Sequence, residues 1–396
     1  MRKTPNGERL ERMRRAMEAA RLDALVVRLP ENVLLLSGFW PMIGASTLVF
    51  PLGEKPVCVI PHCYEEEANA SLWDVDAVYF RYGVLDAPDP RLAMPELLSK
   101  IAQNRSWRRV GYEGSFETVA PSWNAAESLV PASQNLALLG KVFGRTAELV
   151  DLTSLLEAER SRKTPYEAER LRLASEISSF GLKAFAEAVG VGKSGVELAA
   201  AVEESVMVAG TGHKGASRVR AFAQVATGAE EGAVGYRPNE VSTARRLVEG
   251  DLALLELGVV VDGYWADRTR VRVAGSPSQH QRELWEIVER AQRAGVAAMK
   301  PGARAYEVDR AARKIIADAG FFKFFPHITG HGLGFRYHES GPILSPDSQV
   351  VLEEGMLTSV EPGLYDRSFG GIRLEDDVLV TASGAEVLGP FPLDLA

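Results

Sequence analysis

From Asp251 to Val273 the chain reads DLALLELGVVVDGYWADRTRVRV. Apolar and β-branched residues run on both sides of Asp262-Gly263, a dipeptide suited to a tight turn, and the pattern predicts two antiparallel strands joined by a short hairpin loop. Glu256 and Asp267 lie eleven positions apart. A fold about Val261-Asp262 places them directly opposite, whereas a fold about Asp262-Gly263 makes them diagonal neighbours on one face. Either register brings two carboxylates together, at a cost that a cation, a shared proton or basic partners must offset. The hairpin thus raises a metal site as a hypothesis, beside the plainer reading of a solvated acidic strand face.

At 396 residues the chain exceeds one ordinary domain and suggests two or three, and 46% hydrophobic residues suffice for sizeable cores. Lys and Arg number 45 against 53 Asp and Glu, a net charge of -8 with no basic tract. That balance argues against nucleic acid as a partner and for a small or peptide-like substrate. Cys58 and Cys63 stand alone, without a Cys/His cluster, which fits a reducing compartment and not a disulfide framework or structural zinc. The N-terminus opens on charged residues (Arg2, Lys3, Glu8, Arg9) and no apolar run reaches eighteen. A soluble cytoplasmic protein with no membrane partner is expected.

Residues 8–21 carry Leu10, Met13, Met17 and Ala20 at helical spacing. ALVVRL, NVLLLSGF, STLVFPL and PVCVIP then read as short strands broken by Pro and Gly, followed by a helix over Tyr64–Leu72 and a strand from Val78. Residues 1–155 are therefore expected to form an α/β domain with a mixed sheet, structural or oligomerising in role. A boundary falls within DLTSLLEAERSRKT (Asp151–Thr164), and residues 160–396 form the second domain. There, helices from Pro165 and Gly195 precede the hairpin, and amphipathic helices over Pro277–Met299 and Tyr306–Ala319 precede further strands. The whole is α+β with an internal near-repeat.

Three of the six histidines, His327, His331 and His338, crowd into HITGHGLGFRYHESG. Gly330, Gly332 and Gly334 make a helix improbable there and allow backbone and substrate to approach closely. Glu361 precedes Pro362-Gly363 in LTSVEPGLY, and Glu375 follows Gly370-Gly371 in GGIRLEDDVLV, two apolar segments resembling a second hairpin. Buried acids in apolar strands need partners. Glu256, Asp267, His331, Glu361 and Glu375 make an oxygen-rich set with one imidazole, suited to two hard or borderline divalent ions. Such a pair would bind a bridging hydroxide at neutral pH and polarise a carbonyl, as amide hydrolysis requires.

GDLALLELG, WADRTR, TGHGLG, VEPGLY and GIRLEDDVLVT resemble, in order, the five ligand-bearing motifs of the pita-bread metallopeptidases, the family of methionine aminopeptidase, aminopeptidase P, prolidase and creatinase. ERMRRAMEAARLDALVV…NVLLLSGF resembles the creatinase-type N-terminal domain, so the likeness covers almost the whole chain. The resemblance implies that Asp267 and Glu375 bridge both metals and that His331 and Glu361 complete one, with Glu361 also the proton shuttle. It implies that His338 binds substrate and steadies the tetrahedral intermediate, that His327 lines the pocket, and that Arg373 is the arginine of the proline-specific branch. It also implies a homodimer joined through the N-terminal domain.

Two positions depart from the family pattern. The first ligand is normally Asp, and the extra methylene of Glu256 moves its carboxylate outward by roughly one bond length, shifting or weakening the second metal. Asn239 stands where metal-dependent members have a catalytic histidine; it can donate a hydrogen bond but carries no proton, or it is a loop residue after Pro238. Three functions follow as expectations: a two-metal Xaa-Pro dipeptidase using Mn2+, with Co2+ or Zn2+ as alternatives; a creatinase-like or ectoine-hydrolase-like C–N hydrolase with little or no metal; or a non-catalytic binding protein on the same fold. Preference for longer peptides would instead signal aminopeptidase P.

Overall fold

The computed structural model describes residues 5–41, 46–85, 87–114, 132–237 and 242–395. Among them the chain divides into two compact units, residues 5–160 and 161–395.

In the first unit, α1 (Gly7–Ala19) buries Leu10, Met13 and Met17 from one face, as their three- and four-residue spacing requires. It is followed by β1 (Ala24–Val27), α2 (Pro30–Ser37), β2 (Thr47–Pro51), β3 (Val57–Pro61), α3 (Glu65–Ser71), β4 (Asp76–Phe80), α4 (Pro90–Ala102), β5 (Arg109–Tyr112), α5 (Ala132–Phe143), β6 (Glu148–Asp151) and α6 (Thr153–Ser161). The six strands form one mixed sheet in the order β4-β3-β2-β1-β5-β6. Val26, Val49, Val59 and Val110 of its strands pack against Met94 and Leu98 of α4 and Leu139 and Phe143 of α5.

The segment NVLLLSGF corrects the sequence expectation: it is not a strand but most of α2. Pro30 sits in the first turn, where its missing N–H costs nothing, and Gly38 closes the helix at φ 80. The Glu113 carboxylate accepts the backbone N–H groups of Arg28 and Leu29 (2.5 and 2.8 Å) at the N-terminal end. All eight helical residues are buried. Burial on every side leaves no polar face from which a 3.6-residue period could be read.

The second unit opens with α7 (Pro165–Ala188) and α8 (Gly195–Gly210), each started by a capping box, Thr164 with Glu167 and Ser194 with Glu197. Behind them lies a three-stranded sheet of β7 (Val219–Thr227), β8 (Leu252–Val261) and β9 (Tyr264–Val273), with a short helix α9 (Gly228–Gly232) after β7. The hairpin turns on Asp262 (φ 50) and Gly263 (φ 91), both left-handed, as a type I′ turn demands. Pairing Val261 with Tyr264 sets Glu256 opposite Thr269 and Asp267 opposite Gly258. The two acids are therefore diagonal neighbours on one face.

Next come α10 (Gln279–Ala298) and α11 (Ala305–Asp318), then β10 (Gly330–Gly332), β11 (Glu339–Leu344), β12 (Leu357–Val360), β13 (Gly363–Asp366), β14 (Gly370–Arg373), β15 (Asp376–Thr381) and β16 (Gly384–Val387). β11-β10-β12-β15-β16 form a second sheet, and β13-β14 continue the β12–β15 hairpin as a separate ribbon. Glu361 and Glu375 sit where the hairpin passes from one to the other. An isolated bridge between Thr269 and Glu375 joins β9 to this junction. The α7–α8 pair packs on β7, β8 and β9 through Leu173, Ile177, Val202 and Val206, and the α10–α11 pair packs through Leu284, Val288, Ala312 and Ile316 on Leu252, Leu254, Val271 and Val273 of β8 and β9 and on Leu364 and Ile372 of the ribbon. No helix of the described residues is long and apolar enough to cross a membrane.

Candidate metal centre

β9 is buried along its whole length, and Asp267 in its middle is fully buried. Neither carboxylate oxygen of Asp267 has a hydrogen-bond partner among the described residues. A buried carboxylate without donors is costly unless a cation or a proton answers it. Burial pushes this carboxyl up to about 8, with nearby Glu256 and Glu361 acting in the same sense and His331 opposing.

His331 is delivered by β10, the three-residue strand between glycines. Cβ atoms at Gly330 and Gly332 would lie 2.0 Å from the carbonyl oxygens of Ser359 and Gly341, so only glycine lets the neighbouring strands close around the histidine. Its Nδ1–H donates to the Gly332 carbonyl (3.0 Å), which turns Nε2 toward the acids. Nε2 stands 3.4 Å from Asp267 Oδ2 and 3.4 Å from Glu361 Oε1. Burial lowers the His331 pKa, but the two acids beside it outweigh burial and carry it up to about 9.

Glu361 accepts from Ser359 Oγ (2.9 Å), and Ser359 Oγ in turn accepts the His331 backbone N–H (3.1 Å). Glu375 accepts from Thr269 Oγ1 (2.6 Å), across the bridge between β9 and the hairpin junction. Burial raises the pKa of both acids, and neighbouring carboxylates add to the rise. Ligand-capable atoms of His331, Glu361 and Glu375 all lie within 4.8 Å of one another, as do those of Asp267, His331 and His338. Carboxylate oxygens and imidazole nitrogens in these groupings suit a hard or borderline divalent ion, and His331, which belongs to both, stands 3.4 Å from Asp267 Oδ2. The residues fit the metal that the sequence implies.

Glu256 belongs to neither group. Tyr337 Oη donates to its Oε1 (2.8 Å), and Arg373 Nη2 binds its Oε2. Arg373 Nε also donates to Thr269 Oγ1 (2.9 Å), 3.8 Å from Glu375 Oε2, so one guanidinium serves both acids. His338 places Nε2 3.9 Å from Asp267 Oδ2 with its ring 4.3 Å from that of His331. Burial, then the charge of His331, keeps its pKa well below the ordinary value, so it is a neutral imidazole.

His327 stands apart from the acids. Its Nδ1–H donates to the Ile328 carbonyl (2.7 Å), so Nε2 accepts from Tyr365 Oη (3.0 Å), whose oxygen accepts from Arg373 Nη1 (3.2 Å). Desolvation among the rings of Phe325, Tyr236 and Tyr365 drops its pKa to about 3. Asn239 lies outside the described residues. Sequence reasoning did not single out Tyr337, Tyr365, Thr269 or Ser359. Thr269 alone carried a signal, two residues beyond Asp267 and hence on the same strand face.

The pattern of metallopeptidase family M24 matches residues 169–382, more than half of the chain, and that of the creatinase/prolidase N-terminal domain matches residues 9–162. The chain belongs to metallopeptidase family M24. This M24 chain is 30% identical over 384 residues to the Xaa-Pro dipeptidase of Pyrococcus furiosus, covering 96% of this chain and 97% of that one. It is 30% identical over 379 residues to the Xaa-Pro dipeptidase of Lactobacillus delbrueckii subsp. lactis, with 95% of each covered. Among solved structures, the prolidase from Pyrococcus horikoshii OT3 superposes with a TM-score of 0.79 at 28% identity, covering 98% of the M24 chain and 100% of its own.

Proposed function

We propose that this chain is a metal-dependent Xaa-Pro dipeptidase acting on small proline-containing peptides. The observation that carries the reading is the fully buried Asp267 carboxylate, without a donor on either oxygen, beside His331, Glu361 and Glu375. Relatives named Xaa-Pro dipeptidase, similar from end to end, supply the substrate class. Asp267, His331, Glu361 and Glu375 hold divalent ions, with Glu256 as a fifth residue for a second ion. Mn2+ is the leading candidate, with Co2+ or Zn2+ as alternatives. When bound, such ions supply Lewis acidity toward a carbonyl and a lowered pKa for water.

The chain's own groups divide the remaining work. Glu361, with its pKa raised by burial and one oxygen held by Ser359, is suited to take and return a proton. Neutral His338 offers a single N–H to the oxygen that gains charge as the peptide carbonyl becomes tetrahedral. His327, Tyr236 and Tyr365 present aromatic faces suited to a proline ring. Arg373, held by Tyr365 and Glu256, adds positive charge beside them. A cytoplasmic homodimer completes the reading; the two free cysteines, Cys58 buried and Cys63 exposed, fit a reducing compartment.

Ala-Pro is the test substrate, assayed with Mn2+-loaded protein beside Ala-Pro-Ala, creatine and ectoine. Release of proline from Ala-Pro supports the reading. Preferred cleavage of the tripeptide would mean aminopeptidase P, and turnover of creatine or ectoine alone the C–N hydrolase branch.

A further inference from the structure

The loop from Leu333 to His338 carries two groups that face the centre. The ring of Tyr337 fits where a Cβ on Gly258 would lie 2.8 Å from it, and its hydroxyl donates to Glu256 Oε1. His338 brings Nε2 to 3.9 Å from Asp267 Oδ2. The loop is tied down from two sides. The Gly334 carbonyl accepts the Trp265 N–H of β9 (2.8 Å), and Glu339 Oε1 accepts the N–H groups of Phe335 (2.8 Å) and Arg336 (3.3 Å). Glu339 opens β11, where it pairs with Gly332 of β10, so its carboxylate reaches back across the base of the loop.

Glu339 is 2% exposed, and a carboxylate buried that deeply needs a countercharge. Lys163 supplies it: Nζ stands 3.2 Å from Glu339 Oε2, and both side chains are buried. The lysine lies at the start of the second unit, just ahead of Thr164, the cap of α7, and its backbone N–H donates to the Gly355 carbonyl (2.7 Å). Its stem runs against Gly334 (φ 135), where a Cβ would lie 2.6 Å from Lys163 Cε, so only glycine lets the lysine pass. Its ammonium is 5.6 Å from the centroid of the Phe335 ring. One lysine thus touches the turn of the loop, its aromatic ring and the acid that binds its backbone.

We propose that Lys163 is a positioning residue: through Glu339 it fixes the backbone at Gly334–Arg336 and so sets His338 against the oxygen that gains charge during hydrolysis. The inference rests on the dipeptidase reading above and adds a residue that acts only through the loop. Misplacing a reacting group by about 1 Å can cost about a hundredfold in rate, so a loose loop would show in turnover. A lysine that merely stabilised the fold would leave the turnover of folded protein alone. One that positions His338 lowers kcat, and has nothing further to lose once His338 is gone.

The test compares wild type with Lys163→Met, by hydrogen–deuterium exchange of the metal-stripped full-length protein and by hydrolysis of Ala-Pro after Mn2+ loading. In Lys163→Met, peptides covering residues 332–339 should exchange about tenfold faster or more, with peptides of β8 unchanged. The kcat should fall roughly ten- to a hundredfold while KM stays within about threefold, and bound Mn2+ should match wild type by elemental analysis. Lys163→Met added to His338→Ala should change kcat by no more than about twofold. Lys163→Met/Glu339→Ala, which buries no lone charge, should reproduce the losses and takes the place of the single variant if that one does not accumulate. Unchanged exchange in the loop, a wild-type kcat, or losses that multiply in the His338→Ala background each overturns the proposal. A wild type inactive on Ala-Pro overturns the dipeptidase reading; faster exchange in the loop would then still uphold Lys163 as its anchor, and unchanged exchange would remove that as well.

Discussion

The backbone N–H of Asp267 donates to Asp377 Oδ1 at 3.1 Å. Asp377 lies on β15, two residues beyond Glu375 at the hairpin junction, so one short segment supplies a candidate ligand and the acceptor that fixes the other ligand's backbone. Ser175 Oγ of α7 donates to Asp377 Oδ2 (2.7 Å) and holds the acceptor in place. Asp377→Ala leaves a buried N–H and a buried hydroxyl without partners, at about 1–3 kcal/mol. Urea unfolding should show that loss, and Mn2+ affinity should fall by roughly tenfold or more. Ser175→Ala should cost less than Asp377→Ala in both measurements; the reverse order would contradict the anchoring role.

Removing a proposed bridging acid should remove both metal and turnover. Asp267→Ala and Glu375→Ala are each expected to lose bound Mn2+ by elemental analysis. Hydrolysis of Ala-Pro should drop on the order of a thousandfold, the equivalent of several kcal/mol of lost charge stabilisation. Either variant retaining activity would refute its bridging assignment.

Behind the centre, Asp376 pairs with two fully buried arginines. Its Oδ1 accepts from Arg268 Nη2 (2.8 Å) and Arg270 Nη2 (2.7 Å), and its Oδ2 accepts from Gln292 (2.9 Å). Asp376→Ala strands both guanidinium charges in the interior, and breaking a buried pair from one side costs about 3–5 kcal/mol. The expected result is a large fall in the urea midpoint or failure to accumulate soluble protein. A loss below about 1 kcal/mol would mean the arginines find water instead.

In the first unit, burial pushes the Glu113 carboxyl from its ordinary 4.5 up to about 7, against the bonds it accepts from Asn32, Arg28 and Leu29. A folded pKa above the unfolded one means that the contribution is fully present below about pH 4.5 and is lost as pH rises through 7. Stability of this unit should therefore decline between pH 5 and 7, by at most about 3 kcal/mol from this group. Hydrogen exchange of peptides covering β1 and β5 measures it in the intact chain. Glu113→Gln should flatten the decline; an unchanged slope would assign it to other groups.

Local signals carried much of the second unit. The hairpin was legible because β-branched runs and Asp262-Gly263 specify strands and turn within a few residues, and the four helices because their caps and apolar stripes are local. The register was not, since both pairings satisfy the same pattern; left-handed φ at Asp262 and Gly263 chose between them. α2 was misread because a helix buried all round shows no period.

At the site, residue types were legible and partners were not. His327 and His331 looked equivalent by composition, four apart in one glycine-rich run. The resemblance separated His331 as a ligand from His327 as a pocket residue, and packing supplied the partners: His331 turns Nε2 to the acids while His327 spends both nitrogens on Ile328 and Tyr365. Tyr337 gave no sign at all, because its importance depends on a glycine 79 positions away that makes room for it.

The order of five motifs along the chain, each a matter of neighbouring residues, settled family and architecture without coordinates. Which carboxylates stand bare and which are already held was decided by the tertiary structure, because hydrogen bonds of 2.6–2.9 Å between residues 81 to 106 positions apart depend on strand register and ring packing. Asp267 and Glu256 are both acids on one face of one hairpin. Their difference lies in what the rest of the fold brings to them: two imidazoles at 3.4 and 3.9 Å but no hydrogen bond to the first among the described residues, and hydrogen bonds from a tyrosine and an arginine to the second.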